Sequence, residues 1–155
     1  MAPANDYAQT EERFLSLFDA SPLPTQEMLA LIRACAATQG EEKADEWSET
    51  LMQELSEQQD FAGLLMLFKA RAKSFMRTLK PAGMRDLLKK TSKDRLVAAF
   101  IEAAAFGETS LQESFRRIDL LMTLTPGTLV IDSAWGLGRV KNIDGFYKRV
   151  AVDFS

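Results

Sequence analysis

The sequence predicts a mainly α-helical chain of antiparallel helical hairpins, stacked as a tetratricopeptide-like solenoid or an irregular bundle. Near the carboxyl end it gives way to a short antiparallel β module. Three observations carry this. Apolar residues recur three and four positions apart through most of the first 124 residues, which puts them on one face of a helix. Proline and glycine interrupt that pattern at short intervals, so the helices are short and connected tightly. After Pro126-Gly127 the period drops to two. The expected division is a helical domain over 1–124 and a β module over 125–155.

Asp6 or Thr10 is placed to cap a first helix running to about Ala20, with Phe14, Leu17 and Phe18 on one face. Ser21-Pro22-Leu23-Pro24 ends it, because proline has no amide proton to donate and restricts the residue before it. Thr25 caps a second helix striped by Met28, Leu31, Ile32 and Cys35 and stopped at Gly40. A third, about Glu41 to Gln58, turns Ala44, Trp47, Leu51 and Leu55 inward, and its acidic first turn suits the helix dipole. Asp60 caps a fourth, with Phe61, Leu64, Leu65, Phe68, Ala72 and Phe75 on a broad apolar face. Pro81 opens a fifth carrying Met84, Leu87 and Leu88. The sixth, Asp94 to Phe106, is apolar nearly all round and therefore central; Gly107 ends it. Ser110-Leu111-Gln112-Glu113 has the spacing of a capping box for a seventh helix, with Leu111, Phe115, Ile118 and Met122 on one side.

Strand signals follow. Thr128 to Asp132 is a run rich in β-branched residues after a Pro-Gly turn. Trp135-Gly136-Leu137-Gly138 places two glycines where a tight turn or bulge needs them. Arg139 to Ile143 reads as a second strand, with Val140 and Ile143 near one face. Asp144-Gly145 is a hairpin signal. Tyr147 to Phe154 returns as a third strand, in which Val150, Val152 and Phe154 share the period of two. A meander of three strands is marginal alone. The expectation is that it continues beyond the chain end or is completed by a partner.

The net charge of −3 hides a segregation. Residues 1–68 carry 13 acidic and 3 basic side chains, 69–95 carry 2 and 10, and 96–155 carry 7 and 6, giving −10, +8 and −1. In the basic segment Lys69, Lys73, Arg77 and Lys80 recur at helical spacing, and Lys89, Lys90 and Lys93 extend the patch. Such a stripe can meet phosphates, so a nucleic-acid-binding helical domain is one functional alternative. A solvated face is the plainer reading, since no aromatic residues are interleaved for base stacking.

Catalysis is not expected. The chain has no histidine, which removes the commonest general base and the usual nucleophile pairs. Cys35 is the single cysteine and lies on an apolar stripe, as a core thiol would. Glu11/Glu12 and Glu41/Glu42 sit in first turns, where the helix dipole explains them. Gly136-Leu137-Gly138 is followed by Lys141 and a strand rather than by a third glycine and a helix, so it is no dinucleotide fingerprint. No cofactor or metal is predicted. No secretory signal or membrane-length apolar run is present, so the expected compartment is the cytoplasm.

Trp135 stands beside two glycines, either as a plug for the small β core or as an exposed anchor. The segment from Ser114-Phe115 through Leu120-Leu121-Met122, Pro126-Gly127, Val130, Trp135-Gly136-Leu137-Gly138-Arg139-Val140 and Val150-Ala151-Val152-Asp153-Phe154 resembles the amino-terminal extension of long-form Gre-type transcript-cleavage factors. Its β part is also similar to the polymerase-interacting module of CarD-like regulators and transcription-repair coupling factors. The resemblance implies an SH3-like module, here incomplete, and RNA polymerase as partner. The cleavage chemistry of Gre factors belongs to acidic residues on a coiled-coil tip, which is not read in this chain, so cleavage is not carried over.

The combined expectation is a non-catalytic interaction region of a bacterial elongation factor, docking on RNA polymerase or positioning a cleavage domain. Its contact residues would be Val130, Ile131, Trp135, Arg139, Val150, Val152 and Phe154. Exposed strand edges also offer a route to self-association. A general protein scaffold is the remaining alternative.

Overall fold

The computed structural model describes residues 4–74 and 80–154, with side chains from 7–73 and 80–154. It is mainly helical and then forms a small, open, three-stranded antiparallel sheet. The change from helix to strand comes after residue 124. The two compact units divide earlier, into Met1–Leu79 and Lys80–Ser155, so three helices share the second unit with the sheet.

The first unit contains α1 (Ala4–Ser16), a 3-10 turn (Leu17–Asp19), α2 (Thr25–Gln39), α3 (Glu41–Glu57) and α4 (Phe61–Ser74). α1 starts before Asp6, so neither Asp6 nor Thr10 is its cap. Thr25 is likewise the first helical residue of α2 rather than its cap: Pro24 holds that position, and the Thr25 hydroxyl donates to the Leu23 carbonyl. Gly40, at φ +97°, closes α2 and opens α3, a conformation that side chains other than glycine rarely adopt. The Asp60 carboxylate accepts from the Gly63 amide and caps α4 as expected. Phe14 stacks on Trp47 with centroids 4.5 Å apart. Around this pair Met28, Leu29, Ile32, Cys35, Ala44, Leu51, Leu55, Leu64, Leu67 and Phe68 are buried. The predicted position Phe75 lies outside the described residues.

The second unit contains α5 (Pro81–Thr91), α6 (Arg95–Ala103), α7 (Leu111–Met122), β1 (Leu129–Asp132), β2 (Gly136–Asp144) and β3 (Arg149–Phe154). Pro81 takes the first helical position of α5. The Asp94 carboxylate accepts from the Leu96 amide, capping α6. α6 stops at Ala103, short of Phe106, because Ala105 and Gly107 both turn to positive φ. Only half of the expected capping box forms at α7. Ser110 accepts from the Glu113 amide, while the Glu113 carboxylate takes Arg116 and Arg117 instead of reaching back. Met84, Leu88, Phe100, Ile101, Phe106, Phe115 and Ile118 make the core, but Met122, expected inward, is exposed.

The strands lie in the order β1-β2-β3. Pairing runs Val140 to Val152 and then Asn142 to Ala151, which leaves Lys141 as an extra bulged residue. That bulge is why Val140 and Ile143, an odd number of positions apart, share a face; a regular strand would separate them. On this face Ile143 and Val150 meet Leu96, Ala99, Phe100 and Ala103 of α6 and Leu121 of α7 around a cavity of about 70 Å³. Gly145 lies close to Leu96; an added Cβ would stand 3.0 Å from the Leu96 Cα. The Asp144-Gly145 turn is therefore not the two-residue type its dipeptide suggests. It spans four residues, and Lys148 rather than glycine takes the left-handed conformation.

Candidate functional site

Both hairpin turns of the sheet are built the same way. The Asp132 carboxylate accepts from the Ala134 and Trp135 amides at 2.8 and 3.0 Å, and the Asp144 carboxylate accepts from the Phe146 and Tyr147 amides at 2.9 and 3.0 Å. Each aspartate satisfies turn amides locally, which fixes the backbone of the loop. The result is an aromatic side chain held outward at each turn. Trp135 is 71% exposed, and Phe146 and Tyr147 are exposed as well.

Strand register sorts the predicted contact residues into two groups. Leu129 faces Arg139 and Ile131 faces Leu137, so these four share one face. Val130, Val150, Val152 and Phe154 belong to the opposite face, with Gly138 between them. A Cβ at Gly138 would lie 2.6 Å from Val152 and 2.7 Å from Phe154, so this glycine makes room for their side chains. The Trp135 ring, 6.3 Å from that of Phe154, reaches over the same edge. Ile131 and Arg139 thus do not join Val150, Val152 and Phe154 in a single surface.

What the structure does assemble is an apolar face on the β1–β2 hairpin. Leu129 is 60% exposed, Ile131 is 85% exposed, and Leu137 beside them is exposed too. Leu129 and Leu137 line a depression of about 310 Å³ rimmed by Arg139, Lys141 and Asp153. Lys141 and Asp153 form an ion pair at 3.1 Å on that rim. Leu129 and Leu137 were not among the predicted residues. The signal was available: Leu129-Val130-Ile131 is apolar at three consecutive positions, hence on both faces of its strand, as in sheets covered on both sides. β1 and β3 are both edge strands.

The predicted basic stripe is not one helical row. Lys69 and Lys73 lie on α4 (Phe61–Ser74). Arg77 lies outside the described residues. Lys80 is the extended cap residue of α5, not a further turn of α4. Lys89 is ion-paired to Glu102, whose carboxyl it holds below the usual carboxylate range. Lys90 and Lys93 are exposed in the second unit. Arg71, within the same basic segment, is buried: 1% of its side chain is exposed, and it reaches Glu49 at 2.6 Å and Asp45 at 3.5 Å. Its position follows Leu64, Leu67 and Phe68 at helical spacing, and the carboxylates four residues apart on α3 complete the pattern.

Burial raises the pKa of the Cys35 thiol, which disfavours the thiolate. Among the described residues, no three His, Cys, Asp or Glu side chains are grouped to hold a metal, and no helix is long and apolar enough to cross a membrane. Compared with family models, curated proteins and solved structures, the chain matches none of them.

Proposed function

We propose that the chain is a non-catalytic, cytoplasmic interaction region of a bacterial transcription elongation factor that docks on RNA polymerase through its β1–β2 hairpin. The observation that carries this is the apolar face of Leu129, Ile131 and Leu137, exposed next to Trp135 and bordered by Arg139. Covering such side chains contributes about 1.5–3 kcal/mol each when burial is complete, and tryptophan and arginine are frequent anchors at interfaces. The resemblance of this same segment to polymerase-binding extensions supports the choice of partner.

The docking surface wraps the turn end of the β1–β2 hairpin, where the Trp135 ring lies 6.3 Å from that of Phe154. Ile131 and its neighbours meet the partner from one side, while Trp135 at the turn reaches it from the other. Affinity for purified RNA polymerase tests the reading. Trp135→Ala and Ile131→Asp should each weaken binding by about tenfold or more. A Lys69→Glu/Lys73→Glu double variant should bind like the parent chain. Unchanged affinity in both hairpin variants would overturn the reading, and loss only in the lysine variant would transfer the contact to α4.

A further inference from the structure

Residues 1–79 carry 13 acidic and 7 basic side chains, a balance of −6. At least three of the seven cations form ion pairs with carboxylates of the unit. Arg13 pairs with Glu27, Lys43 with Glu46, and Arg71 with Asp45 and Glu49. Arg33 of α2 and Lys73 of α4 have no ion pair among the described residues, although carboxylates outnumber cations in residues 1–79 as a whole. Both line the same trough between α2 and α4, together with Lys69. Its volume is about 460 Å³ and its floor is apolar, made by Leu29, Met66 and Ala70. A second depression, about 520 Å³, shares Gln26 and Met66 with it and continues past Glu27 and Asp60 toward Thr25 and Ala62, so the cations collect at the Arg33–Lys73 end alone. From Ala62 to Lys73, at about 1.5 Å per residue, the trough runs roughly 16 Å, or three turns of a ligand helix.

We infer that this trough binds an acidic amphipathic helix of a protein partner. Apolar side chains of that helix lie on Leu29, Met66 and Ala70, and its carboxylates meet Arg33 and Lys73 at one end. An unbranched methionine in the floor adapts to different apolar side chains. The charge balance gives the selectivity: a net-negative unit repels an acidic ligand everywhere except where its cations collect. The same balance works against nucleic acid, and no aromatic side chain lines the trough for base stacking.

The test is an amide-shift titration of the whole, isotope-labelled chain with a synthetic peptide of about 16 residues, glutamate and leucine alternating at helical spacing. Shifts should concentrate in 26–33 and 66–73. Arg33→Glu with Lys73→Glu should weaken binding by about tenfold or more, and the milder Arg33→Gln with Lys73→Gln by less. Arg33 and Lys73 are exposed, so circular dichroism and Tm should stay at parental values. Poly-glutamate of equal length and a lysine-leucine peptide should bind weakly or elsewhere. Equal affinity for poly-glutamate would reduce the trough to an unspecific anion patch. Binding of oligothymidylate there would make it a nucleic-acid surface. Absence of binding, or indifference to both double variants, would overturn the assignment.

Discussion

Along α3 the apolar side chains Ala44, Trp47, Leu51 and Leu55 are all buried, whereas along β1 Leu129 and Ile131 stand in solvent. α3 is mostly polar and β1 mostly apolar, so composition alone would bury the wrong segment. Geometry decides. α3 presents one stripe, and its neighbours α2 and α4 close over it. β1 is apolar on both faces, while the α6–α7 side of the sheet supplies cover on one face only. The comparison teaches that the first unit uses its apolar residues for internal packing, whereas the sheet holds part of its apolar surface where a partner can reach it.

Truncation should separate the two regions most sharply. Leu51→Ala removes a fully buried side chain and should cost about 2–5 kcal/mol in urea unfolding, while Ile131→Ala should change stability by less than about 0.5 kcal/mol. Trp47 and Trp135 lie one in each unit, so fluorescence of variants retaining a single tryptophan reports each unit separately. A large loss at Ile131 would mean that the exposed face contributes to the fold, and the comparison would fail.

Arg71 sharpens the contrast inside the first unit, because it is a charge buried among apolar neighbours. Arg71→Ala should cost about 2–4 kcal/mol, through lost packing and two carboxylates left without their partner. Arg71→Met keeps the stem and should cost less, which the same unfolding curves will show.

The glycines test the second unit. Gly138→Ala forces a methyl group against Val152 and Phe154 and should destabilise by about 1–3 kcal/mol. Gly83→Ala, with no atom within 4 Å of the added carbon and an α5 position that favours alanine, should stabilise by about 0.5–1 kcal/mol. Thermal unfolding should therefore move in opposite directions for the two.

The smallest effect concerns pH. Hydrogen bonds from Arg116 and Arg117 hold the Glu113 carboxyl at about 2, below its ordinary 4.5. The unfolded chain therefore takes up this proton first as the pH falls. The contribution is complete above 4.5 and is lost as the pH drops toward 2. Being at the surface, the pair is screened, so Glu113→Gln should lower stability only slightly above pH 4.5, by an amount that shrinks to nothing as the pH falls toward 2.

Most of the helical order was legible because periodicity and breakers act locally: the Asp60 and Asp94 caps, Pro81 and Gly40 each stand where the backbone needs them. Caps that failed, at Thr25 and within the Ser110 box, lost to competing local partners. The sheet was legible as three strands but not as faces. The bulge at Lys141 shifts parity by one residue, and nothing in residue type announces a bulge there. Leu129 and Leu137 were missed for a related reason. Three consecutive apolar residues in β1 require two apolar faces, and β-branched content alone does not say which of them is covered. Arg71 was hidden by its charge, which suggests solvent until its carboxylate partners on α3 are placed beside it.

Hydrogen exchange of the whole chain with and without purified RNA polymerase tests the docking surface most directly. The account predicts that the polymerase slows amide exchange over residues 128–137 and leaves α3 unchanged. Protection confined to the helices of the first unit, or none at all, would contradict it.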